Sequence, residues 1–145
     1  MSEELFRSLT KYQLLATGML GEARGEPVEG RIAVGCTVRN RVKLNRKHYG
    51  GSSWFDVMLK REQFDCFKPG NPNHAVCVAL ASEIHSKPSP LLQESIWLAF
   101  GIVVDRILDN TAGATHYHAA WDKPYWIKSM TFTRRIGNHL FYRED

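Results

Sequence analysis

At 145 residues the chain is the size of one ordinary domain, able to bury roughly two-thirds of its unfolded surface in a single core, so a second domain is not expected. Hydrophobic residues make up 43% and charged residues 23%, which sets aside disordered and fibrous classes. The formal net charge of +4 fits either simple solubility or a polyanionic partner, such as nucleic acid or the polymer of a bacterial wall.

The chain opens without a positively charged start followed by an apolar stretch, so no signal peptide is expected. Residues 12–20 carry Leu14, Leu15, Met19 and Leu20 on one helical face, with Thr10 and Gln13 spaced as a capping box. Gly25 is suited to ending that helix and Pro27 to starting the next, so Gly21-Glu22-Ala23-Arg24-Gly25-Glu26-Pro27 reads as helix, turn, helix. Glu22 is thereby placed at the C-terminal end of a buried helix. There the negative end of the macrodipole and partial burial both disfavour the carboxylate and raise its pKa. A carboxylic acid that keeps its proton near neutral pH is what a general acid needs to protonate a glycosidic oxygen. Spacing alone equally allows Glu22 and Glu26 to be solvated charges paired with Arg24 or Arg31.

Residues 29–43 are apolar nearly all round and predict a central helix, in which Asn40 requires buried partners and either pins the backbone of the Gly21 to Pro27 turn, the simpler role, or reaches the substrate. Residues 45–53 form a basic, glycine-containing loop, after which Ser53 and Asp56 cap a short helix. Residues 62–67 alternate polar and apolar and predict a short extended segment. The spacing predicts further helices over 75–85 and 91–108, the second largely internal with Trp97 and Phe100 in the core. Its apolar run over 96–104 is too short to span a bilayer, so no stable membrane insertion is expected. After a turn at 110–114, residues 114–118, 131–136 and 140–142 are rich in aromatic and β-branched types, with Gly137-Asn138 between the last two. The expectation is an α+β fold: a mostly helical body with a small antiparallel sheet.

Gln63, Phe64, Tyr117, Trp121, Tyr125 and Trp126 fall in loops or short strands where amides and rings could line a glycan cleft. His116 and His118 share a strand face and are candidates for the same cleft. With His74, His85 or His139 they could instead hold zinc, as in a metal-dependent amidase or peptidase. Cys36, Cys66 and Cys77 form no CxxC pair and fit reduced thiols; a nucleophilic Cys66 would need an activating environment that its neighbours do not mark. A phosphate-contacting stripe of Arg39, Arg41, Lys43, Arg46 and Lys47 wraps around its helix instead of lining one face, so no nucleic-acid partner is expected.

The run Gly21 to Pro27, then Glu29-Gly30, Ala33-Val34, Asn40-Arg41-Val42, Gln63-Phe64, Gly113 to His118 and Ile136 to Tyr142 resembles the cell wall hydrolase family typified by SleB-type spore-cortex-lytic enzymes. The resemblance covers most of the chain. It implies a lysozyme-like catalytic domain, independent of metal or other cofactor, whose substrate is bacterial peptidoglycan. It further implies a lytic transglycosylase cutting between N-acetylmuramic acid and N-acetylglucosamine, with Glu22 as acid and then base and with Gln63 and Tyr117 near the reacting sugar. In a two-carboxylate hydrolytic muramidase Glu26 would be the second catalytic group. A catalytically silent wall-binding module is the remaining alternative. Residues 71–90 depart from the family pattern, so substrate preference does not carry over. The expectation for 1–145 is a single catalytic domain without a separate wall-binding domain, acting as a monomer. It looks like a bacteriophage endolysin, held in the host cytoplasm until a holin opens the membrane.

Overall fold

The computed structural model describes residues 2–60 and 64–145. Its helices are α1 (Ser2–Arg7), α2 (Lys11–Ala23), α3 (Val28–Leu44), α4 (Trp54–Leu59), α5 (His74–Ile84) and α6 (Pro90–Val103). The strands β1 (His116–Ala119), β2 (Thr131–Ile136) and β3 (His139–Arg143) follow, with 3₁₀ turns at Lys47–Tyr49, Asp65–Phe67 and Tyr125–Ser129. The mostly helical body with a small antiparallel sheet is the architecture that the sequence indicates.

Helix α2 starts on the capping box: Gln13 N donates to Thr10 Oγ1 (3.1 Å) while Thr10 N donates to Gln13 Oε1 (2.9 Å). Leu14, Leu15, Ala16, Met19 and Leu20 are all buried, so α2 runs through the interior with α3, α5 and α6 around it. Helix α3 follows Pro27 and ends at Asn45 in the left-handed conformation (φ 51°). Its basic residues are structural. Arg39 Nη1 donates to the carbonyls of Ile102 (2.9 Å) and Ile107 (2.7 Å), and Arg41 Nε donates to that of Thr115 (2.6 Å). Asn40 Nδ2 donates to Ala114 O (2.8 Å) and Asp109 Oδ2 (3.2 Å), so it pins the loop that leads into β1 and not, as the sequence suggested, the Gly21 to Pro27 turn.

Three further sequence expectations are corrected. Helix α6 stops at Val103 instead of continuing to 108: Asp105 takes a positive φ (59°), and the N–H groups of Arg106 and Ile107 both return to Gly101 O (2.8 and 3.1 Å). Trp97 and Phe100 are not core residues, being 75% and 44% exposed. The helix turns Leu92, Ser95, Ala99 and Ile102 inward, and small Ser95 and Ala99 allow close approach to α2. Residues 65–67 form a 3₁₀ turn, not an extended run, because Phe64, Cys66 and Phe67 all enter the core. Glu62 and Gln63 lie outside the described residues.

The sheet has strand order β1-β3-β2, all pairs antiparallel, with Tyr117 opposite Phe141 and Ile136 opposite His139. Phe141, Ala33 and Ala114 form a small apolar cluster beneath it, and Tyr117 packs against both this cluster and the helical core. The C-terminus closes over the loop after α3. Burial opposes the Glu144 carboxylate, but hydrogen bonds from Tyr49 and His48 dominate and hold its pKa down to about 2.

Candidate active site

Glu22 lies in the last turn of α2, at the edge of a cleft of about 1010 Å³ between the helical body and the sheet. Gly21 explains how the acid reaches that position. A Cβ on residue 21 would collide with Cys77 Sγ and approach Cys66 Sγ to 3.0 Å, so only glycine lets α2 pack this closely against α5 and the 65–67 turn. The same turn supplies a donor, Cys66 N to Glu22 Oε1 at 3.1 Å, and the Tyr117 hydroxyl on β1 supplies another. Burial is the largest influence on Glu22 and raises its pKa above the ordinary glutamate value. The Cys66 and Tyr117 hydrogen bonds pull the other way, and nearby Asp65 adds to the rise. Burial also lifts the Tyr117 hydroxyl well above the usual range, so it remains a protonated donor.

Beside Glu22 and Tyr117, the cleft is lined by Arg41, Phe64, Asp65, His116, His118, Trp121, Lys123, Tyr125, Trp126 and His139. The structure thus brings together eight of the expected residues: Glu22, Phe64, His116, Tyr117, His118, Trp121, Tyr125 and Trp126. Their characters differ. Trp121 and Tyr125 stand open on the rim, 75% and 93% exposed, as flat faces on which a sugar ring can stack. Trp126 is half-buried, with His116, His118 and Tyr142 around it at centroid distances of 5.1, 5.8 and 5.4 Å. Phe64 is buried and supports the Arg41 guanidinium, 5.1 Å from its ring centre. Gln63 lies outside the described residues.

Glu26 does not line this cleft. Its Oε1 accepts from Asn138 N (2.6 Å) and its Oε2 from Asn138 Nδ2 (3.3 Å), so it clamps the β2–β3 turn to the α2–α3 turn. The fit is close: Gly137 has φ 58°, and a Cβ there would stand 2.5 Å from Glu26 Oε1. Neither Glu22 nor Glu26 pairs with its neighbouring arginines, since Arg31 bonds Glu94 (2.6 Å) and Arg24 bonds Asn73 (3.4 Å).

The histidines separate by environment. His118 accepts from Tyr142 OH at Nε2 (3.0 Å) and donates from Nδ1 to Ala119 O (2.6 Å), which occupies both nitrogens. Burial, then the Arg41 charge, lowers His116 to about 4. His74 packs on Phe6 and His85 bonds Ser8, away from the cleft, and among the described residues no three His, Cys, Asp or Glu side chains converge. Cys66 is fully buried, and its hydrogen bond with Cys77 and its burial push the thiol well above the usual range, the opposite of an activated nucleophile. Sequence reasoning did not place Arg41 or His139 as cleft residues. Both carried a usable signal: His139 belongs to the Ile136 to Tyr142 motif and Arg41 to Asn40-Arg41-Val42.

A family model described as Cell Wall Hydrolase matches residues 25–142. The catalytic domain of the germination-specific lytic transglycosylase SleB from Bacillus anthracis superposes with a TM-score of 0.64 at 22% identity, covering 92% of this chain and 93% of that one. The catalytic domain of the Bacillus cereus SleB protein gives 0.63 at 23% identity, covering 92% and 89%. These likenesses establish the fold. No curated protein sequence matches the chain.

Proposed function

The chain belongs to the cell wall hydrolase family, and from that premise we propose that it is a peptidoglycan lytic transglycosylase, cleaving between N-acetylmuramic acid and N-acetylglucosamine with Glu22 as acid and base. The observation that carries this reading is a half-buried carboxyl with a raised pKa, hydrogen-bonded by Tyr117 and Cys66 N–H and open to a cleft rimmed with exposed aromatic rings. The Bacillus anthracis protein whose catalytic domain shares this fold is itself a lytic transglycosylase.

Protonated Glu22 gives its proton to the glycosidic oxygen as the muramyl C1–O bond breaks, and the bonding pair leaves with that oxygen to become the 4-hydroxyl of N-acetylglucosamine. The Tyr117 hydroxyl and the Cys66 N–H then stabilise the carboxylate they already face. The muramyl 6-oxygen closes on C1, its proton passes to Glu22, and the acid is regenerated beside a 1,6-anhydromuramyl end. One carboxylate suffices. A two-carboxylate hydrolytic scheme is disfavoured because both oxygens of Glu26 are engaged by Asn138, outside the cleft.

The test is digestion of purified peptidoglycan in the presence of a chelator, with mass spectra of the released fragments. Anhydromuramyl ends are expected. Reducing muramyl ends would make water the nucleophile, and release only after zinc is restored would point to a metal enzyme instead.

A further inference from the structure

Of the three imidazoles on the cleft, His139 is the one backed by a carboxylate. Its side chain is only 10% exposed, and its Nδ1 is buried without a hydrogen-bond partner, 3.7 Å from Glu26 Oε1. That separation is too long for a hydrogen bond, yet the negative charge facing Nδ1 favours the tautomer with its proton there. Since the ring lines the cleft while Nδ1 points inward, the Nε2 edge is the one presented to the cleft, next to Tyr117 at a ring distance of 5.3 Å. His118 has no such capacity, because Tyr142 and Ala119 occupy its nitrogens.

We propose that His139 is a substrate-contacting residue of this cleft, its Nδ1–H turned to Glu26 and its Nε2 lone pair accepting a hydrogen bond from a hydroxyl or acetamido N–H of the glycan strand. The inference rests on the glycan-cleaving reading above and deepens it. Glu26 then has a function at a distance: it anchors the hairpin that carries His139 and fixes which imidazole nitrogen holds the proton, as an orienting carboxylate does for a catalytic histidine. Catalytic hydrogen bonds of this kind commonly tighten when substrate binds.

The contact requires a neutral ring. The groups acting on His139 are its own burial and His118, which lower its pKa, and Glu26, which raises it; the Tyr117 hydroxyl keeps its proton. The net lowering keeps Nε2 free to accept down to mildly acidic pH. Activity therefore falls on the acid side as His139 gains a proton, and falls on the alkaline side as Glu22 loses one.

The measurement is the pH profile of kcat/KM on soluble glycan strands for the parent, His139→Gln and Glu26→Gln. His139→Gln retains an acceptor that does not titrate, so its acid limb disappears, and kcat/KM at the optimum falls by up to about ten-fold for one weakened hydrogen bond. Glu26→Gln removes the charge that holds a proton on the ring, so the acid limb moves to lower pH. An unchanged acid limb in His139→Gln would overturn the proposal. Should either variant fail to fold, nitrogen NMR of the imidazoles in Glu22→Gln, titrated with a tetrasaccharide of alternating N-acetylglucosamine and N-acetylmuramic acid, decides the matter. His139 Nε2 shifts on binding if it makes the contact; a still His139 with a shifting Trp126 indole would refute it. If the parent neither binds nor cleaves the glycan, the glycan-cleaving reading itself fails; if it cleaves with the His139 limb unaltered, only this inference does.

Discussion

Glu22 occupies a position that is unfavourable for a carboxylate, and the cost should be measurable. Its pKa in the folded chain is raised, first by burial, above the value near 4.5 that it has when unfolded. The folded protein therefore holds this proton more tightly than the unfolded one. Glu22 weakens the fold only where the unfolded chain has ionised, so its cost is absent below about pH 4.5 and grows as pH rises through the folded pKa. Glu22→Gln keeps an acceptor for Cys66 N–H and removes the charge. Urea denaturation should show the variant matching the parent at low pH and exceeding it at neutral pH; a gap independent of pH would mean that Glu22 is not held in this way. At Gly137 the demand is steric. Its positive φ and its contact with Glu26 leave no room for a Cβ, and Gly137→Ala should cost about 1–3 kcal/mol in thermal or chemical unfolding.

Among the elements, α6 shows what an apolar sequence leaves undecided. From Ile96 to Val103 its residues are apolar on every side, so the sequence of that stretch does not say which side faces inward, and the packing partner makes the choice. The small side chains of Ser95 and Ala99 go in, and Trp97 goes out. Leu92→Ala, at a fully buried position, should cost about 2–5 kcal/mol, whereas Trp97→Gln should fall within about 0.5 kcal/mol of the parent. Equal losses at the two positions would place Trp97 in an interface that the isolated chain does not show. Helices α2 and α3 were legible because their ends carry local chemistry: the Thr10 and Gln13 box, Pro27, and the last buried turn before Gly25. The hairpin was legible from Gly137-Asn138 between β-rich runs. The 65–67 turn was not, since alternation in so short a segment does not distinguish a strand from a turn whose apolar residues all enter the core.

At the scale of the whole molecule, the site exists because distant segments meet. The end of α2 brings Glu22, the 65–67 turn brings the Cys66 N–H, β1 brings Tyr117, and β3 brings His139. Tyr117 also joins the helical core to the cluster under the sheet, so packing and chemistry share one side chain. What the sequence made readable was the local part: an acid at a helix end and a supply of aromatic residues after it. The engagement of Glu26 by Asn138, 112 positions away, and the burial of Arg41 in the cleft wall depend on tertiary contacts that no local pattern encodes. The account as a whole depends on Glu22, and the most direct test compares the rate at which the parent and Glu22→Gln solubilise purified peptidoglycan, with both shown to be folded. Loss of general acid catalysis predicts a fall of at least about 100-fold in the variant. Undiminished release of glycan fragments by Glu22→Gln would contradict the account.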